Sequence, residues 1–224
     1  MVTLTTTDMT EGYPGLQVGD VGELSILEIV QRACRILGLD EPDVAVANTD
    51  AEIVKLVQFS NETIDELIRR VDWPILSDTF TITGTGSNDV YDMATGFDRL
   101  AKGNAVHIAG EPIRGTLSDS EWQSLTATSG TPRYFRAHGN FLQFWPYPTG
   151  ATTVTIAYQS NLWCSNGTDA WAEDTDTPLV PSELVIMGII WRFKRYIGAD
   201  FADHMAEYEA AIQDYAAAEG RVRR

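Results

Sequence analysis

Apolar residues recur at helical spacing near both ends of this chain and alternate with polar ones in its middle. Ser25-x-x-Glu28 has the form of a capping box, and Ile26, Ile29, Val30, Ala33 and Leu37 follow on one helical face. Gly38 suits the position just past the end, so the pattern predicts a helix over 26–37. A second box, Thr49-x-x-Glu52, precedes a stripe of Ile53, Leu56, Val57, Ile64, Leu67, Ile68 and Val71. That predicts a helix over 50–71, stopped at Trp73-Pro74 because the residue before proline is pushed out of the α region.

From 75 to 160 the period changes to two. Phe80 and Ile82 alternate with Thr79, Thr81 and Thr83, and Val90, Tyr91 and Met93 form a shorter candidate strand. The cluster from Gly84 to Asp89 reads as a turn, and the run Phe97-Asp98-Arg99-Leu100 as a connection. Val106 and Ile108 make a further strand, and Ser118-x-x-Glu121 caps a short helix with Trp122 and Leu125 on one side. Two aromatic strands then flank His138-Gly139-Asn140, whose Gly-Asn dipeptide is of a type that closes hairpins. A last strand places Val154, Ile156 and Tyr158 on one face.

Residues 161–180 carry Trp163, Cys164, Trp171 and the carboxylates Asp169, Glu173, Asp174 and Asp176, which reads as an exposed acidic loop. Pro181-Ser182-Glu183 opens a helix that is apolar on most sides through Leu184, Val185, Ile186, Ile189, Ile190 and Phe193. Gly198 breaks it. Asp200 then caps a final helix with Phe201, Met205, Tyr208, Ile212 and Tyr215 in register. The order is two helices, a β-rich middle and two helices. The fold class is therefore α+β: a four-helix bundle from residues 25–74 and 181–220, with an inserted antiparallel β-rich domain over 75–180. Residues 1–24 are rich in Thr, Gly and Asp, lack periodicity and read as a flexible or partner-ordered arm, and residues 221–224 as a basic tail.

Composition narrows function more than it names it. The chain has 224 residues and a formal net charge of -16, from 32 acidic and 16 basic residues. Tight wrapping of DNA needs clustered Lys and Arg, which this balance opposes, whereas a surface that DNA slides past is compatible with it. No basic region followed by an apolar run marks a signal peptide, and no apolar stretch approaches the ~18 residues of a membrane span. His107, His138 and His204 lack metal-ligand spacing, the serines lack a nucleophile elbow, and no carboxylate pair stands out. The acidic loop lacks the ordered spacing of a calcium loop. No catalytic, cofactor-binding or metal site is therefore expected. Cys34 reads as a buried free thiol, and two cysteines, Cys34 and Cys164, make no disulfide framework. The carboxylates leave open a cell-wall glycan hydrolase. The hairpin aromatics Tyr134, Phe141, Phe144 and Trp145 leave open a carbohydrate- or protein-binding β module, if they line one exposed face.

The ordered pieces resemble the head-to-tail adaptor proteins of tailed bacteriophages, the group that includes the tail accessory factor of short-tailed phages. The likeness runs from Arg69-Arg70-Val71-Asp72-Trp73-Pro74 through the Thr-rich strand after Asp78 to Tyr91-Asp92-Met93 and Phe97-Asp98-Arg99-Leu100. It continues through Gly110-Glu111-Pro112-Ile113, Ser120-Glu121-Trp122, Gly130-Thr131-Pro132-Arg133-Tyr134-Phe135 and Phe144-Trp145-Pro146-Tyr147-Pro148, and ends in Trp191-Arg192-Phe193 and Tyr208-Glu209. The chain departs from the family pattern near Gly96, where a proline is missing and Phe97 and Asp98 are inverted. The resemblance implies a non-enzymatic subunit of a twelve-membered ring beneath the portal of the virion, made in the bacterial cytoplasm. The ring extends the channel through which duplex DNA passes without sequence-specific binding, and it attaches the next tail component, a stopper, nozzle or tail-tube protein. It also points to portal contacts at Ile212, Tyr215, Arg221, Arg223 and Arg224, and to subunit contacts at Trp73, Trp191, Phe193 and Tyr196.

Overall fold

The computed structural model describes residues 24–86 and 90–222, with side chains described up to Ala218. The expectations placed on residues 1–23, on 87–89 and on Arg223 and Arg224 lie outside the described residues, and so does the side chain of Arg221.

Helix α1 spans Ile26–Leu37. Its capping box is formed: Ser25 N–H donates to Glu28 Oε2 at 2.8 Å, and Glu28 N–H donates to Ser25 Oγ at 3.3 Å. Gly38 follows with φ of 73°, the left-handed turn that an L side chain resists. Helix α2 spans Ala51–Arg70, but its cap is Asp50 and not the predicted Thr49 box. Asp50 Oδ1 accepts from Glu52 N–H at 2.8 Å and from Ile53 N–H at 3.4 Å. A carboxylate there meets the positive end of the helix dipole, which a hydroxyl one residue earlier does not match.

A 3-10 turn at Pro74–Leu76 leads into β1 (Ser77–Thr83). Then come β2 (Val90–Asp92), β3 (Phe97–Leu100), β4 (Val106–Ile108), β5 (Glu111–Pro112) and the short helix α3 (Asp119–Gln123). Strands β6 (Ser129–Gly130), β7 (Tyr134–His138), β8 (Phe141–Trp145), β9 (Tyr147–Pro148) and β10 (Thr153–Ser160) complete the middle. Strand β10 is the hub: β1 pairs along its whole length on one side, and β4 and β3 share the other. Strands β2, β8 and β7 form a second antiparallel sheet, with Gly139-Asn140 as its tight turn. Strands β6 and β9 pair in parallel, a departure from the all-antiparallel expectation. Residues 97–100 also differ from expectation, since they form strand β3 and not a connection. Val154, Ile156, Phe144, Leu142 and Val106 are fully buried between these strands.

Helix α4 (Ser182–Tyr196) packs on α1, on α2 and on α5 (Ala202–Val222). Its contact with α2 is close because residue 188 is glycine: a Cβ there would lie 2.2 Å from Thr63 Cγ2. Ile29, Ile64, Leu67, Leu184 and Ile189 are fully buried in the resulting core. Each contributes roughly 1.5–3 kcal/mol relative to exposure.

The segment 161–180 is exposed only in part: residues 165–170 face outward, but its tryptophans do not. Trp163 is 1% exposed and Trp171 8%, with their rings in edge contact at 4.6 Å, and both belong to the helical core. Two of its four acids are backbone caps. Asp174 Oδ1 accepts from Ala45 N–H and Val46 N–H at 2.9 and 2.8 Å, while Asp176 Oδ2 accepts from Ala172 and Glu173 N–H at 2.7 and 2.9 Å. Trp171 Nε1 donates to Ser60 Oγ on α2 at 2.9 Å. A carboxylate that gathers two N–H groups organises a turn, and the apolar residues beside it turn inward.

Candidate assembly surfaces

The last helix is tied down by a charged network. Glu66 on α2 accepts from Arg70 Nη1 at 2.6 Å and also pairs with Arg192 of α4. Arg70 Nη2 reaches Glu209 Oε2 of α5 at 2.5 Å. The hydrogen bond from Arg70 holds the Glu209 carboxyl below the usual carboxylate range. Tyr208 is fully buried beside this cluster, and burial together with the Glu66 charge pushes its hydroxyl up to about 12. Arg192 Nη1 also donates to Thr63 Oγ1 at 2.9 Å, and its guanidinium lies 4.4 Å from the Trp191 ring centroid. Three helices therefore meet on one set of ions.

A second joint ties helices to sheet. Asp72, just past α2, accepts from Arg99 Nη2 of β3 at 2.7 Å and from Lys102 Nζ at 2.9 Å. Burial opposes ionisation of Asp72, but the hydrogen bonds from Lys102 and Arg99 outweigh it and hold the carboxyl below its ordinary range. Arg99 also donates to Val71 O at 3.3 Å.

The predicted contact residues lie in different surroundings. Trp73 is 2% exposed, Phe193 3% and Trp191 9%, all packed inside the chain's own core, whereas Tyr196 is 62% exposed. Ile212 is buried against α4, and Tyr215 is half-buried. The hairpin aromatics do not form an exposed row. Phe144 is in the core, while Tyr134 and Trp145 are half-buried with ring centroids 5.8 Å apart. Residues around α3 cover that face: Arg136 pairs with Asp119 at 2.8 Å and stacks on Trp122, and Trp145 Nε1 donates to Thr126 O at 2.8 Å. Of the four aromatics only Phe141 is exposed.

Sequence reasoning missed one surface feature and named only Tyr196 of another. One is a groove between α1 and α5 floored by α4. Ile186, Met187 and Ile190 form its base, Ile36 one wall, and Arg32, Glu183, His204 and Glu207 its rim. The other is the corner where α4 ends, with Tyr196 and Ile197 both more than half exposed. The signal for both was present in the exposed flank of each apolar stripe, which periodicity alone assigns to the core.

Among the described residues, no group of three or more His, Cys, Asp or Glu side chains is arranged to hold a metal, and no helix is long and apolar enough to cross a membrane. Cys34 and Cys164 are free and buried, and burial pushes the Cys34 thiol up to about 11, away from nucleophilic use. The organised features are joints and surfaces, which is the build of an assembly component. The sequence matches the model of the family described as SU10 adaptor protein over residues 24–224, and the chain belongs to that phage head–tail adaptor family. A comparison with curated proteins finds no match. Membership implies a structural, non-enzymatic role in the virion at the junction of head and tail.

Proposed function

We propose that this adaptor assembles as a ring beneath the portal, extends the DNA channel and carries the next tail component. The observation that carries this reading is the family match over nearly the whole chain. The four long helices serve as a bundle forming the ring wall, together with 161–180, which packs on them. The strands from 77 to 160 project from it, outward or toward the tail. Helix α5, clamped through Glu209 and Ile212, meets the portal through Ile212, Tyr215 and the basic tail residues Arg221, Arg223 and Arg224. The chain's charge of -16 suits a channel wall, because DNA phosphates are repelled and the duplex slides.

The test is to mix purified protein with the cognate portal and image the product by electron microscopy. Portal-bound rings are expected, twelve subunits in each. Their absence over a wide concentration range would overturn the reading. Deleting residues 219–224 should weaken portal binding by about tenfold, near 1.4 kcal/mol. Unchanged affinity would remove the arginines from the contact.

A further inference from the structure

We propose that the α4–α5 corner of one subunit seats in the α1–α5 groove of the next, as the centre of the ring contact. The inference rests on the ring reading above and names its contact. A closed ring of one chain needs two unlike patches on each subunit, placed on different sides of the body. The corner and the groove meet that requirement.

The corner is a pre-ordered apolar anchor. The Tyr196 ring lies 6.1 Å from Phe59 and 6.3 Å from Phe193, and Lys55 Nζ sits 5.4 Å from its centroid. These contacts hold the ring in place yet leave the residue 62% exposed, with Ile197 beside it at 57%. An aromatic side chain already fixed in the free subunit loses little entropy on docking, which suits a hot spot. Among the described residues, Lys55 and Arg195 have no carboxylate within ion-pair distance, whereas Lys194 lies on the groove side, its Nζ 2.6 Å from His204 Nε2. The nearby Asp200 is engaged at the start of α5, accepting from Ala202 N–H at 3.2 Å. The corner is therefore apolar and basic on a chain of net charge -16.

The groove is the complementary shape. It is a concavity of about 250 Å³ with an apolar base, and Ile36 on its wall is 52% exposed. Its rim carries Glu183 and Glu207, which can receive Lys55 and Arg195 of the neighbour, alongside a single guanidinium, Arg32. Tyr196 leans on α2, whereas the groove opens between α1 and α5, so one subunit's corner is not occupied by its own groove. A stable contact buries about 800 Å² per partner. Tyr196 and Ile197 supply its buried centre, and polar residues around them supply the rest.

The test uses two singly substituted proteins of different mass, Ile36→Cys and Ile197→Cys, mixed with the cognate portal under mild oxidation. The native thiols are fully buried and give little background. The mixed 36–197 disulfide should dominate over the 36–36 and 197–197 products. Tyr196→Glu, at a residue 62% exposed and set against a carboxylate rim, should weaken ring assembly at least about tenfold while the monomer's far-UV circular dichroism stays that of the parent. Adding Glu207→Lys to that variant should restore much of the loss. If wild-type rings form on the portal but no mixed disulfide appears and Tyr196→Glu assembles normally, the contact is wrong and the ring reading stands. If no wild-type ring forms, both fall.

Discussion

Substituting Gly188 with alanine tests the helix crossing at the centre of the molecule. Residue 188 lies in the interior of α4, where alanine is favoured over glycine by about 1 kcal/mol on helix propensity alone. The crossing predicts the opposite sign. The new Cβ would stand 2.2 Å from Thr63 Cγ2 and 2.5 Å from Thr63 Oγ1. Thr63 is fully buried, and its hydroxyl donates to Phe59 O at 2.7 Å and accepts from Arg192 Nη1 at 2.9 Å. It cannot move without separating two helices or giving up a hydrogen bond from a charged donor. Overpacking costs about 1–3 kcal/mol and losing that hydrogen bond about 1.5–3 kcal/mol. Less the propensity gain, Gly188→Ala should destabilise by about 3 kcal/mol, a fall in Tm of roughly 6–12 °C for a chain of this size. Urea unfolding followed by tryptophan fluorescence measures it, with an unchanged m-value showing that the native state is otherwise intact. Thr63→Ala removes the obstructing atoms, so the double variant should lose less than the sum of the two singles by at least about 1.5 kcal/mol. A Gly188→Ala protein that melts at or above the parent, or a strictly additive double variant, would refute the close crossing.

Two further predictions concern the joints. The folded pKa of Asp72 lies below its unfolded value of about 3.9, so its contribution is present above that pH and is lost as pH falls through the folded value. Asp72→Asn should therefore cost about 2 kcal/mol at pH 7, a gap that closes in titrations below pH about 4; a gap that persists there would mean the ion pairs are not its source. Glu209→Gln should raise the proteolysis and hydrogen-exchange rates of α5 selectively, with about 1 kcal/mol or less of global stability lost because the Arg70 pair is one-third exposed. An α5 protected as in the parent would show that apolar packing alone holds it.

The helices were legible because their signals are local. Ser25 with Glu28, Ser118 with Glu121, and Gly38 announce ends within a single turn of chain. Strand β3 was hidden because Asp98 and Arg99 stand together in its middle. They break the alternation; Arg99 is there for Asp72, 27 positions away, and Asp98 pairs with Arg99. The segment 161–180 was misjudged for a related cause: its carboxylates look solvated by composition, but two of them bind backbone N–H groups and draw Trp163 and Trp171 into the helical core. For the candidate surfaces the helical wheel held information that an aromatic count did not. Trp191 and Tyr196 are five positions apart, about 140° around the helix, so they cannot both face one partner. Which of them faces the core depends on where α2 and α5 lie, and that is a tertiary fact.

Strands β1 and β10 have a consequence for how such a protein can change over generations. Ser77 lies opposite Gln159 and the two strands stay in register to Thr83 and Thr153, so the chain leaves the helices and returns to them along one paired ribbon. The ribbon is the doorway to everything between, braced by the Asp72 joint to Arg99 and Lys102. Loops or strands beyond that doorway can be lengthened, replaced or exchanged with those of another lineage while the helices keep their packing. On the orientation proposed above, a change of tail calls for changes past the ribbon and leaves the helical side as it was.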